Sequence, residues 1–168
     1  MINNKKKVVL FANGDFPQPE KIQSQISDQD VLIAVDGGLK YITESNQIPD
    51  LIIGDLDSAD PKDIEEFQNR GVEVRKFPVE KDETDLELAL LAALETQSDE
   101  VWVVGALGKR IDQTLGNIFL IASPKFASLD LKLIDGVQEI FVIRTSKTIK
   151  GKTGNRVSLL PLNGPVTG

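Results

Sequence analysis

Asp55 and Asp57 stand two apart in Gly54-Asp55-Leu56-Asp57-Ser58, directly after the apolar run Leu51-Ile52-Ile53. Two carboxylates at that spacing, in a loop leaving a buried strand, can aim oxygens at one hard cation from the same edge of a sheet. The same five residues also suit a plain turn, with Asp57 and Ser58 capping a helix start, and alone they favour the turn. Lys81-Asp82-Glu83-Thr84-Asp85 offers a second acidic group, ahead of a segment whose Leu86, Ala89, Leu90, Ala93 and Leu94 follow helical spacing. Capping by Asp82 or Thr84 and a chemical role for the neighbouring acids are compatible there. A third group, Gly105-Ala106-Leu107-Gly108-Lys109-Arg110-Ile111-Asp112-Gln113, joins an apolar run to an amphipathic segment. Its glycines permit close backbone approach, and its two cations near a helix start suit phosphates. It is neither a Walker A loop nor a complete dinucleotide fingerprint, and Asp112 has a simple alternative in pairing with Arg110. Asp36-Gly37-Gly38 completes the set as a ligand candidate or a strand-to-helix turn in which Asp36 caps a helix containing Tyr41 and Ile42.

These four groups all follow β-rich runs. Val8 to Phe11, Val31 to Val35, Leu51 to Ile53, Val72 to Phe77 and Val101 to Val104 read as strands, and helical patterns fall at 20–27, from Asp60-Pro61 to Gly71, and at about 84–96. Near-continuous apolar strands of this kind predict an α/β fold, a doubly wound, mostly parallel sheet with helices on both faces. Ligands then sit beyond the carboxyl ends of the strands, where Asn13-Gly14-Asp15 and the four groups lie. After Pro124 the pattern changes to alternating strands around Asp135-Gly136, a hairpin signal. The predicted division is therefore an α/β domain at 1–127 and an all-β segment at 128–168, in a chain that reads as shortened at its C-terminus.

Composition narrows the chemistry further. With 168 residues, no histidine and no cysteine, any acid, base or metal ligand is a carboxylate, lysine, tyrosine or hydroxyl. The formal charge of −7 and the lack of a basic stripe argue against nucleic acid as a partner. No membrane-spanning stretch or signal peptide is recognisable, so a cytoplasmic protein is expected. An acidic chain can still bind an anionic nucleotide when Mg²⁺ stands between carboxylates and phosphates.

Taken in order, Asp36-Gly37-Gly38, Pro49-Asp50-Leu51-Ile52-Ile53-Gly54-Asp55-Leu56-Asp57-Ser58, Lys81 to Asp85 and Gly105 to Gln113 closely resemble the thiamin pyrophosphokinase family, and Asn117 fits the helix that follows. The resemblance implies an ATP:thiamin diphosphotransferase, in which the thiamin hydroxyl attacks the β-phosphorus of ATP and AMP leaves. It also makes 1–127 a nucleotide-binding domain and 128–168 the start of an all-β sandwich, and implies a homodimer with active sites between the α/β domain of one subunit and the β-sandwich of the other. On that basis Asp55, Asp57, Asp82 and Asp85 are expected to hold Mg²⁺, with Asp82 or Asp85 free to accept the hydroxyl proton. Arg110 is the expected phosphate clamp, seconded by Lys81 and Lys109. Asn13, Asp36, Gln113 and Asn117 would orient nucleotide or vitamin, and Gly37, Gly38, Ser58, Thr84, Gly105, Gly108 and Asp112 would line the site. Lys109 stands where many bacterial members carry glycine, Gln113 replaces their histidine, and the thiamin-contacting β-sandwich normally runs well beyond Arg156 to Pro161. Two rivals remain: a related Mg²⁺-dependent pyrophosphokinase using another alcohol, and a non-catalytic nucleotide or thiamin sensor.

Overall fold

A computed structural model describes residues 6–96, 98, 100–108, 110–162 and 164. Seven strands form one sheet: β1 (Val8–Phe11), β2 (Val31–Val35), β3 (Leu51–Gly54), β4 (Glu73–Lys76), β5 (Glu100–Val104), β6 (Asp130–Ile134) and β7 (Glu139–Phe141), in the order β4-β3-β2-β1-β5-β6-β7. Every pairing is parallel except β6 with β7. The helices are α1 (Pro19–Gln23), α2 (Leu39–Glu44), α3 (Pro61–Asn69), α4 (Asp85–Leu94) and α5 (Ile111–Ala122).

Side chains on a strand alternate between faces, so β1 serves two cores at once. Val8 and Leu10 pack with Ile33, Ile53, Val101, Val103 and Leu133 under Ala89, Leu90 and Ala93 of α4 and Ile121 of α5. Val9 and Phe11 pack with Leu32, Ala34 and Ile52 under Ile22, Leu39, Ile42 and Phe67 of the other three helices. The doubly wound sheet predicted from sequence is thus realised. Helix starts follow local chemistry: Asp60 accepts from Lys62 N ahead of Pro61, and Thr84 Oγ1 accepts from Glu87 N. Of the two readings open for Asp82 and Thr84, the cap is Thr84.

The division expected after residue 127 does not coincide with an edge of this sheet. Val101↔Leu131 and Val103↔Leu133 are in parallel register, so β6 belongs to the first body, and the hairpin at Asp135-Gly136 adds β7 to its edge. Asp135 fixes that turn by accepting from Val137 N and Gln138 N. Residues 142–162 contain no helix or strand.

At the opposite, amino end of the strands, Lys7 Nζ lies 2.7 Å from Asp30 Oδ2 and 4.8 Å from the Trp102 ring centroid. Burial alone would raise the Asp30 carboxyl, but hydrogen bonds from Lys7 and the Ser27 and Lys7 amides outweigh it and hold the carboxyl below its ordinary value. This pin ties β1 to the start of β2 far from the strand ends that carry the chemistry.

Candidate active site

β1 is central, and the chain winds outward from it in opposite directions through β2 and through β5. The crevice of such a sheet opens where the winding reverses, at the carboxyl ends of β1 and β5. The two loops there are stitched together: Ala12 N donates to Val104 O (2.8 Å), Gly14 N to Gly105 O (2.6 Å) and Asp15 N to Leu107 O (2.8 Å). The approach is so close that a Cβ at Gly105, which also has φ +65°, would overlap the Ala12 carbonyl. A cleft of about 940 Å³ runs from these loops between α4 and α5.

Asp36, Ser58 and Asp85 line this cleft, and beside Asp36 two strand exits bring acids together. Oxygens of Asp36, Asp55 and Asp57 lie within 4.8 Å of one another. Asp36 leaves β2 with φ 48°, and Leu56, between the other two acids, has φ 65°. Left-handed φ is costly for a leucine, on the order of 1–2 kcal/mol. Burial offsets it: the Leu56 side chain is 9% exposed, in the core beneath α2 and α3. The twist turns Asp55 and Asp57 to one side, where Asp55 Oδ1 accepts from Asp57 N, Asp57 Oδ1 accepts from Ser58 Oγ, and Asp36 Oδ1 accepts from Ser58 N. Asp36 is therefore no cap for α2; its carboxylate faces Ser58 and the other two acids.

Of the expected metal set Asp55, Asp57, Asp82 and Asp85, the structure brings the first two together, and the third carboxylate beside them is Asp36, which the sequence offered only as a binding residue. Asp82 is exposed in the loop before α4 and lies outside the cluster. Asp85 abuts Gly54, its Cγ 3.4 Å from where a Cβ there would sit, and Lys81 Nζ is 2.9 Å from its Oδ1. That lysine arrives as an ion-pair contact without the alignment of a hydrogen bond, leaving Asp85 Oδ1 buried and without a hydrogen-bond partner.

Along the rest of the cleft, Asn13, Thr84, Gly105, Gly108 and Gln113 all line its wall. Asn117 Nδ2 donates to Ala106 O, fastening α5 to the glycine loop. Gly37 leaves room for the Asn13 amide, and a Cβ at Gly38 would overlap the Phe11 carbonyl. Arg110 and Asp112 form the pair that sequence allowed as the simpler alternative, with Nε and Nη2 on the two carboxylate oxygens (3.2 and 2.5 Å). The hydrogen bond raises the Arg110 guanidinium pKa and lowers that of the Asp112 carboxyl. Lys109 lies outside the described residues.

Two neighbours escaped sequence analysis. Lys40 Nζ donates to Asn13 Oδ1 (2.9 Å), and Tyr41 Oη donates to the Gly14 carbonyl while its ring meets Phe16 edge-on. Burial, then Asp15 and Glu44, raise the Tyr41 pKa, keeping it a proton donor. Their only signal was position, in the first turn of α2 directly after Gly37-Gly38.

Carboxylates clustered at the mouth of a glycine-walled crevice fit a hard cation on a nucleotide phosphate. The family profile described as "Thiamin pyrophosphokinase, catalytic domain" matches residues 22–133. The thiamine pyrophosphokinase of Bacillus subtilis (strain 168) is 30% identical over 130 residues, covering 77% of this chain and 61% of that protein. Thiamine pyrophosphokinase 1 of Oryza sativa subsp. japonica is 29% identical over 131 residues, 70% of this chain and 48% of that one. The crystal structure of the Bacillus subtilis enzyme superposes with a TM-score of 0.65 at 29% identity, over 77% of this chain and 61% of that one. Yeast thiamin pyrophosphokinase, at 17% identity and a TM-score of 0.60 over 79% and 59% of the two chains, shares the fold. The chain thus spans about three fifths of the length of its Bacillus subtilis relative, 61%. It belongs to the thiamin pyrophosphokinase catalytic-domain family.

Proposed function

We propose that this chain carries the nucleotide-binding half of an ATP:thiamin diphosphotransferase, which moves the β,γ-pyrophosphoryl group of ATP to the primary hydroxyl of thiamin and releases AMP. The observation that supports this most is the meeting of Asp36, Asp55 and Asp57 within 4.8 Å, with Asp36 lining the cleft. Such transfers ask a protein mainly for alignment and charge neutralisation. Three hard oxygen donors fit Mg²⁺, which neutralises phosphate charge when bound. Asp85 borders that group with a buried oxygen lacking a hydrogen bond, suited to accept the thiamin hydroxyl proton, and Lys81 Nζ lies 2.9 Å from that oxygen. Asp82, being exposed, is assigned an outer role at the loop.

Arg110 is fully exposed at the start of α5, and exchange of Asp112 for phosphate oxygens would preserve its bidentate geometry. Asn13, held by Lys40, and Asn117, held by the Ala106 carbonyl, keep the walls at a fixed separation, with Gln113 and Thr84 lining the cleft between them. No helix among the described residues is long and apolar enough to cross a membrane, and use of ATP fits a cytoplasmic enzyme. A homodimer is proposed from family membership, and exposed Ile111, Leu115 and Phe119 along α5 supply an apolar face for it. Asp55→Asn should lower AMP release from ATP, thiamin and Mg²⁺ at least 100-fold while leaving the circular dichroism spectrum intact; unchanged turnover contradicts the assignment.

A further inference from the structure

Lys40 and Tyr41, neighbours in the first turn of α2, hold Asn13 and Gly14, neighbours in the loop that leaves β1. Lys40 Nζ donates to Asn13 Oδ1 across 2.9 Å and lies 4.7 Å from the Tyr41 ring centroid, while Tyr41 Oη donates to the Gly14 carbonyl. An ammonium group only donates, so the edge of the Asn13 carboxamide that meets Lys40 has to be its oxygen. The amide nitrogen is thereby turned to the other side as an open donor. The same amide is fixed in its plane: a Cβ at Gly37 would stand 2.6 Å from Asn13 Nδ2, 2.7 Å from Cγ and 2.8 Å from Oδ1, near-equal distances that put the carboxamide face-on over that glycine. Gly37 thus sets the plane, and Lys40 sets which edge faces which way. Asn13 lines the cleft beside Gly14 and Gly105, and among the described residues lining it Lys40 does not occur. Because Gly37 directly follows Asp36, the amide stands next to a member of the acidic cluster.

Resting on the function proposed above, we infer that Lys40 is a positioning residue for ATP: by holding Asn13 Oδ1 it presents Asn13 Nδ2 to the cleft as a donor for a phosphate oxygen. Without that hold the carboxamide is free to turn over, and in the reversed orientation its oxygen faces an anion. The lysine acts through a neutral amide and not by its own charge. Orientation also separates this role from one of stiffening the loop, since a stiffened loop needs only the contact, whereas the phosphate needs the correct edge of the amide.

The test is calorimetric titration of α,β-methylene-ATP, whose bridging carbon blocks transfer, into the 168-residue chain in the presence of Mg²⁺. Lys40→Met should weaken binding about five-fold, the effect of freeing one ordered side chain, and should do so equally at low and high salt. Lys40→Arg, which keeps donors for Asn13 Oδ1, should recover most of the loss. Asn13→Asp should weaken binding about ten-fold or more even though its carboxylate holds Lys40 more firmly, because the donor is gone. In an Asn13→Ala background, itself about ten-fold weaker, Lys40→Met should have no further effect. Wild-type affinity in Lys40→Met or in Asn13→Asp, or an undiminished loss from Lys40→Met when residue 13 is already alanine, each overturns the inference while leaving the proposed function standing. A wild-type chain that does not bind the analogue overturns both.

Discussion

Removing one negative charge from the aspartate cluster should stabilise the cation-free protein and abolish its response to Mg²⁺. Asp36, Asp55 and Asp57 bring oxygens within 4.8 Å of one another, and Asp57 is the exposed member. At that separation, even with the dielectric of water, each like-charge pair costs roughly 1 kcal/mol. Asp57→Asn relieves two such pairs, about 2 kcal/mol at low ionic strength, which for a domain of this size is a rise in Tm of about 5 °C. Asparagine keeps an oxygen able to accept the Ser58 hydroxyl, now 2.9 Å from Asp57 Oδ1, so the loop keeps its shape. In 1 M salt the screening length falls to about 3 Å and the gain should largely vanish. Magnesium should separate the two proteins. At 100 times its Kd it should stabilise wild type by about 2.7 kcal/mol, near 8 °C, and leave the variant unmoved. Differential scanning fluorimetry of both proteins with EDTA or Mg²⁺, at low and high salt, reads all eight melting temperatures. If Asp57→Asn melts below wild type in EDTA at low salt, or keeps the Mg²⁺ shift, the cluster is not a repulsive group waiting for a cation.

Asp30→Asn should cost about 3 kcal/mol in urea unfolding at pH 7, because it leaves Lys7 buried without its counter-charge. The Asp30 carboxyl is depressed in the fold, so its contribution is complete above the ordinary value of 3.8 and is lost as pH falls below it through the folded value. The gap between wild type and Asp30→Asn should therefore be constant from pH 5 to 7 and shrink below 3.8. Thr84→Ala should lose about 1 kcal/mol of stability by uncapping α4, and Thr84→Ser should recover most of it. Leu56→Ala should lose about 3 kcal/mol of stability, since the buried side chain anchors a left-handed residue, and its Mg²⁺ shift should shrink as Asp55 and Asp57 lose their shared aim.

The inner strands were legible because β1, β2 and β5 are covered on both faces and so read as unbroken apolar runs. Asp130-Leu131-Lys132-Leu133 alternates instead, which suggested a new all-β segment. In the fold it is a parallel strand near the sheet edge, and the alternation has a local cause: Lys132 lies 5.8 Å from the Trp102 ring centroid and 3.5 Å from Glu100. The first helix, expected over 20–27, forms only at Pro19–Gln23. Strand ends bearing Gly and Asp marked the cleft correctly, since a parallel sheet has to present them along one edge. What spacing could not convey was the backbone twist at Asp36 and Leu56 that turns acids from two different strand exits toward each other. That arrangement depends on β2 lying beside β3, a tertiary fact. Arg110 and Asp112 show the converse: two residues apart in sequence, they pair locally.

Phosphorus NMR of ATP, thiamin and Mg²⁺ incubated with this chain tests the proposed chemistry most directly. Attack at the β-phosphorus should give AMP and the two doublets of thiamin diphosphate in equal amounts, with no ADP, and both products should form at least 100-fold more slowly with Asp55→Asn. Appearance of ADP, or AMP and pyrophosphate formed at the same rate without thiamin, would contradict pyrophosphoryl transfer at this site.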